Sequence, residues 1–385
     1  MKHSEIAVVA VAFLVSTAIT ALWYTIPLVF SNLLDYNYAL VSIILAAIPF
    51  VEIIGAIPIG FYVDNGAAKS IGAVGTMFLI LTPVVFVVFS GVGFIDMVLL
   101  GIGSITTEIS LEAYAFNIVK NVKIKYIGAV SGLSAIGALL GASAGGFLFQ
   151  YYSLWYLLAF LSGLLLAALI IFIKYLEPIR AAHSSKVERF NKIIKEEGGL
   201  YRKFRHFITS LSIFSFLFGF FEWGIWLLIP LIIIIRSADI FYGGIIYGLI
   251  CLPFGFGSFL ASHVYKRHNK RKIVFVSILA SVAAMLLTSS LLAASAYVLV
   301  LLVFTSFSIS VAYLALSGYV LEKDRKDIAE FYVFETVSYD AGGIFGILLG
   351  GFTVILTSIT TVAVVFSVVA VAFLAYFFVV SRDVQ

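Results

Sequence analysis

Glu108 and Glu112 stand four residues apart in ITTEISLEAY, so a helix there carries both carboxyls on one face. They lie in an apolar run, and so, in other runs, do Glu52, Glu222, Glu335 and Asp340. No Lys, Arg or His falls well inside any of these runs, and the five histidines, at 3, 183, 206, 263 and 268, lie outside them or at their ends. A carboxylate in hydrocarbon costs at least about 2.5–3.5 kcal/mol, so it pairs, takes up a proton or faces water. With no basic side chain at hand, the partner is a proton or a cationic ligand. Two ionised carboxyls one turn apart repel each other, which suits Glu108 and Glu112 to carrying a proton. Read as structure alone, the same two acids would be protonated and hydrogen-bonded to neighbouring helices.

The elements that hold them follow from composition. Of 385 residues, 62% are hydrophobic and 11% charged, too few charges to cover a water-soluble fold of this length. Apolar runs of the ~20 residues needed to cross a bilayer recur along the chain. Divided at charges and Pro/Gly clusters, they predict twelve spans near 6–30, 38–61, 70–90, 94–118, 126–150, 153–175, 207–235, 241–264, 273–293, 297–320, 330–354 and 358–380. The first run lacks a cleavage site and reads as a retained span. Every Lys and Arg except Arg236 then falls on one side if both termini face the cytoplasm, as the positive-inside rule requires. The net charge of +4 reports this topology and does not point to nucleic acid; the basic face suits anionic lipid heads.

The expected fold is therefore an all-α integral membrane protein: an N-terminal six-helix bundle (1–175), a cytoplasmic linker (176–206) and a C-terminal six-helix bundle (207–385). In the linker, SSKVERFNKIIKEE predicts an amphipathic helix lying on the membrane face, with Ser185 and Glu188 at capping-box spacing. Cys251 is the only cysteine, which excludes a disulfide framework. No HExxH, GxSxG or P-loop occurs, so no enzyme activity, catalytic residue, metal site or cofactor is expected.

The fifth span contains GALLGASAGG, with Gly137, Gly141, Gly145 and Gly146; the eleventh contains GGIFGILLGG. Small residues four apart let helix backbones approach closely, and their return at the same place in each half marks an internal repeat. GFYVDNGAAK, after the second span, carries Gly60, Asp64 and Lys69. On these two motifs the chain resembles the major facilitator superfamily along its full length. It departs from that pattern where Asn65 and Ala261 stand for charged residues, and the fourth span, DMVLLGIGS, lacks the arginine usual in the family's proton-coupled drug exporters, which leaves the subfamily open.

The resemblance implies that spans one, four, seven and ten line a central cavity. Their polar positions are compatible with that: Thr20, Trp23 and Tyr24; Ser104, Glu108 and Glu112; Glu222, Trp223 and Trp226; Ser306, Ser310 and Tyr313. Trp23 and Tyr24 read equally as interfacial anchors, and Glu335 as a solvated or helix-capping acid. Asp340 beside the glycine run is a candidate coupling acid, and Glu52, between Pro49 and Pro58, belongs to a gate or to helix packing. Asp64 with Lys69 and Gly60, and the four glycines of the fifth span, are the conformational elements the resemblance implies. The expected function is secondary active transport of a small organic solute by alternating access in the plasma membrane. It is expected to be proton-coupled, with a cationic or neutral amphipathic substrate, export favoured, and to work as a monomer. Proton symport of a neutral solute, or a non-transporting sensor of the same fold, are the alternatives.

Overall fold

The computed structural model describes residues 3–32, 37–88, 93–119, 125–178, 209, 212–224, 227, 239–264, 270–290, 300–312, 315, 328–356 and 359–380. The linker helix, Trp226, Tyr313 and the side chain of Asp64 lie outside them. All regular structure among the described residues is helical. The first half comprises α1 (His3–Asn32), α2 (Tyr38–Leu45), α3 (Ala47–Tyr62), α4 (Ala68–Val88), α5 (Gly93–Val119), α6 (Lys125–Tyr151) and α7 (Leu154–Tyr175). The second comprises α8 (212–224), α9 (Ile240–Val264), α10 (Lys270–Ser290), α11 (300–312), α12 (Ile328–Leu356) and α13 (Ile359–Val380). Because α2 and α3 form a single span from Tyr38 to Tyr62, these helices make twelve spans, six in each half, and among the described residues the six of the first half are each long and apolar enough to cross a membrane. Consecutive spans alternate in direction. The end where α1 begins is called the near end, and the other the far end.

Two local features follow directly from residue type. Pro49 has no N–H to give to Leu45, and the second span bends at Ala46 between α2 and α3. The segment after the second span, expected as a loop, is instead a π-helical joint, Val63–Ala67, between α3 and α4. Gly66 there adopts φ 90°, a left-handed conformation that costs an L-residue about 1–2 kcal/mol. This is what the glycine of VDNGAAK is for.

The repeated glycine motifs perform equivalent tasks. In the first half, a Cβ on Gly137 would lie 2.6 Å from the Phe13 carbonyl oxygen, and one on Gly141 would strike the carbonyl of Thr17. In the second, Cβ atoms on Gly342 and Gly346 would strike the carbonyls of Phe216 and Phe220. Each half thus seats its fifth span against its first with backbone touching backbone. The last glycine of each motif reaches across to the other half instead. Gly146 meets Ile240 of α9, and Gly351 meets Ser42 and Tyr38 of α2.

Two walls therefore join the halves. Along α6 and α9, Gly244 packs on the Ala142 carbonyl, Gly248 on Leu139, and Gly255 on Ala135 and Ser131. Along α2, α3 and α12, contact runs from Gly351 inward. At the far rim Gln150 of α6 accepts a hydrogen bond from the Phe241 N–H (2.7 Å) and donates one to Asp239 (3.2 Å). The Tyr24 hydroxyl donates to the Ile240 carbonyl. Among the described residues, both walls are in contact at the far rim.

Candidate functional site

Ser104, Glu108 and Glu112 recur every four residues along one face of α5. Glu108 and Glu112 are both solvent-exposed. Yet Glu108 lies within electrostatic range of Glu52 on α3, Glu222 on α8 and Asp340 on α12, as well as of Glu112. A carboxyl that is exposed while three other spans surround it faces an internal, water-accessible space. Glu112, one turn nearer the near end, is within range of Glu335 on α12. All six acids singled out in the sequence thus converge on one cluster.

The approach of the helices explains each contact. Gly101 of α5 lacks a side chain, and a Cβ there would sit 3.0 Å from the Ile48 carbonyl oxygen of α3. That closeness lets Glu52 hydrogen-bond with Ser104, and Glu52 also shares a hydrogen bond with Asp340 across the halves. On the other side Gly219 admits the backbone of Tyr339, whose hydroxyl donates to Glu222 at 2.6 Å. Tyr339 and Asp340 are neighbours in sequence, but successive helical residues diverge by about 100°. Tyr339 therefore serves its own half and Asp340 faces the other.

Trp23 and Trp223 meet edge to face across the halves, ring centres 4.3 Å apart, and Tyr24 leans on Tyr247 at 5.4 Å. Trp23 and Tyr24 are buried here, which corrects their reading as interfacial anchors. The apolar run of α1 continues past them to Asn32, and this carries both into the interior. Glu335 is buried as well, with one oxygen that has no partner among the described residues, so it is neither solvated nor a helix cap.

Of the remaining candidates, Thr20 is half-buried on α1, one turn before Tyr24. Ser306 and Ser310 are buried on α11, their hydroxyls without partners among the described residues. Thr17, Thr25, Thr106, Ser110 and Thr305 instead bond back to carbonyls of their own helices. A Cβ on Gly60 would meet open space, so no close approach requires that glycine, and Lys69 is half-buried at the start of α4. The sequence reading overlooked Tyr339, Tyr247 and Asp96. Asp96 is 1% exposed in the first turn of α5, and both its oxygens lack partners among the described residues. A first-turn acid reads as a cap, which hid it. Among the described residues, no group of three or more metal-ligating side chains could hold an ion.

Twelve helical spans in two halves, with an acid-lined space inside, are the architecture of a membrane transporter. The chain belongs to the Major Facilitator Superfamily, whose profile matches residues 8–333. No curated protein matches it by sequence. Among solved structures it is similar to a point variant of the nucleoside transporter NupG (TM-score 0.77, 13% identity, 98% of this chain and 99% of that one). It is similar also to the human organic anion transporter MFSD10 (TM-score 0.72, 14% identity, 98% and 99% covered). A third likeness is to a bacterial homologue of the human lysosomal transporter Spinster, solved inward-facing and occupied (TM-score 0.69, 15% identity, 98% and 96% covered). At these identities the likeness is one of fold.

Proposed function

We propose that this transporter is proton-coupled and moves a cationic or neutral amphipathic organic solute by alternating access, export being the favoured direction. The observation that carries the reading is Glu108: water-accessible, ringed by four other carboxyls, with no Lys, Arg or His among the groups acting on it in the described residues. Such a site attracts protons and cations and repels anions. In this reading Glu108, Glu112 and Glu222 bind proton or solute, Asp340 takes part in coupling, and Trp223, Tyr24 and Thr20, with Ser306 and Ser310, border the solute. The basic near end is the cytoplasmic one, as the distribution of Lys and Arg favours. The protein works as a monomer in the plasma membrane, among lipids.

A second reading, proton symport of a neutral solute, draws on the Glu222–Tyr339 hydrogen bond, which offers neutral groups to polar rings. The shared fold of the nucleoside transporter NupG is compatible with it. Organic anions, the cargo named for MFSD10, fit poorly beside six carboxyls. Proteoliposomes with an imposed pH gradient test the proposal. Solute flux should follow the gradient and vanish in Glu108→Gln and Glu222→Gln while protein yield stays unchanged. Gradient-driven flux persisting in both variants would remove these acids from the mechanism. No flux of any tested solute in the wild type would favour the sensor alternative.

A further inference from the structure

Glu52 and Asp340 belong to opposite halves, and both are withdrawn from solvent, at 5% and 2% exposure. Their carboxyls share a hydrogen bond, with Ser104 a second partner of Glu52. Two ionised carboxylates have no hydrogen to share, so the contact exists only while the pair holds a proton.

Its place in the wall matters as much as its chemistry. The joint between α2/α3 and α12 begins at the far rim, where Gly351 meets Ser42, and reaches inward to Glu52, roughly 15 Å along the helix. Glu108 of α5, which is exposed, lies within electrostatic range of both carboxyls, so the water-accessible space begins beside them. The carboxyl pair therefore lies where this wall borders the internal space.

The surrounding groups offer no substitute for that proton. α5 presents Ser104 and Glu108 to the pair. On α12, Tyr339 has its hydroxyl turned to Glu222 of α8. Glu335 and Glu112 lie about one turn further toward the near end and face each other. Among the described residues no Lys, Arg or His acts on either carboxyl.

We infer that Glu52 and Asp340 form a proton-binding latch between the halves: one shared proton ties α3 to α12 while the far end is closed, and its loss parts this wall. The pair's second charge, with no cation to offset it, supplies the repulsion. The inference rests on the proton-coupled reading and deepens it, for it assigns proton release to the step in which the far end opens.

The test is a distance measurement on the full chain in lipid nanodiscs. With Cys251 replaced by Ser, spin labels go at Tyr152 and Val300, exposed positions in the two halves. Raising the pH from about 6 to about 9 should shift the wild type toward longer far-end distances, by at most about tenfold in population per pH unit for one linked proton. Glu52→Gln and Asp340→Asn supply the hydrogen bond from an amide, so each should stay closed and flat with pH. Wild-type distances that ignore pH would overturn the latch, and so would amide variants that keep the wild-type response. Should one variant not fold, the other and the wild-type titration still decide. Solute-coupled proton flux of the same protein in proteoliposomes separates the two readings. A pH-driven opening without solute-coupled proton flux keeps the latch and removes the coupling; coupled flux with pH-blind opening does the reverse.

Discussion

The two walls that join the halves are built from the same repeat but held by different physics. Gly146 and Gly351 occupy the same place in their motifs, and each reaches the opposite half at the far rim. At the same offset back along the chain, Asp340 corresponds to Ala135. Ala135 packs its methyl on Gly255, whereas Asp340 shares a hydrogen bond with Glu52, the one inferred above to hold a proton. The α6–α9 wall is thus small residues against backbone, a contact of short-range dispersion that no change of pH can touch. The α2/α3–α12 wall ends in a contact that chemistry can remove. One scaffold duplicated has given a fixed seam and a switchable one.

The comparison can be broken at the fixed seam first. Ala135→Asp introduces a buried carboxyl without a partner, which is expected to cost about 3–5 kcal/mol and to abolish transport; thermal unfolding and flux assays read both. At the other seam, Glu52→Ala leaves Asp340 buried beside an empty place. A loss of about 1–3 kcal/mol is expected, while Glu52→Gln stays near the wild type. Equal thermal midpoints for the two variants would show that the hydrogen bond contributes nothing. Gly141→Ala and Gly346→Ala each force a methyl into a carbonyl of the first span of their half, an overpacking of about 1–3 kcal/mol. Similar losses would confirm that the repeat packs equivalently, and a large difference would deny it.

The smallest effect lies at the rim. The Tyr242 N–H and the Gln150 amide hold the Asp239 carboxylate below its usual range. A lowered value means the cap is intact at neutral pH and is lost only as the pH falls through that value. The rim therefore loosens with acid while the latch loosens with base. Gln150→Ala should shift far-end closure only slightly and leave its response to alkaline pH unchanged, as label distances would show.

Much of the fold could be read from the chain because a bilayer leaves few choices. Apolar runs of one length, a repeated glycine motif and basic residues gathered on one side led to twelve spans, and apart from the seventh and tenth, parts of which lie outside the described residues, their ends fall within a few residues of those expected. The six acids were visible because carboxyls are conspicuous among Leu, Ile and Val. Their pairing was not, for nothing near Glu52 signals Asp340, and the contact depends on how two bundles meet. Trp23 and Tyr24 were ambiguous for a related reason. An aromatic near a helix end looks the same whether lipid heads or another helix cover it. Glu335 was misjudged because a near-end position says nothing about what packs over it.

Trp23 and Trp223 have a further consequence. They are two of only four tryptophans in the chain, and their rings touch across the halves. Indoles at 4.3 Å couple their electronic transitions, so the closed far end should carry a paired signal in the near-ultraviolet circular dichroism that vanishes when the rings part. In the proposed cycle this pair serves as a built-in optical gauge, one that needs no label and can be followed during solute flux.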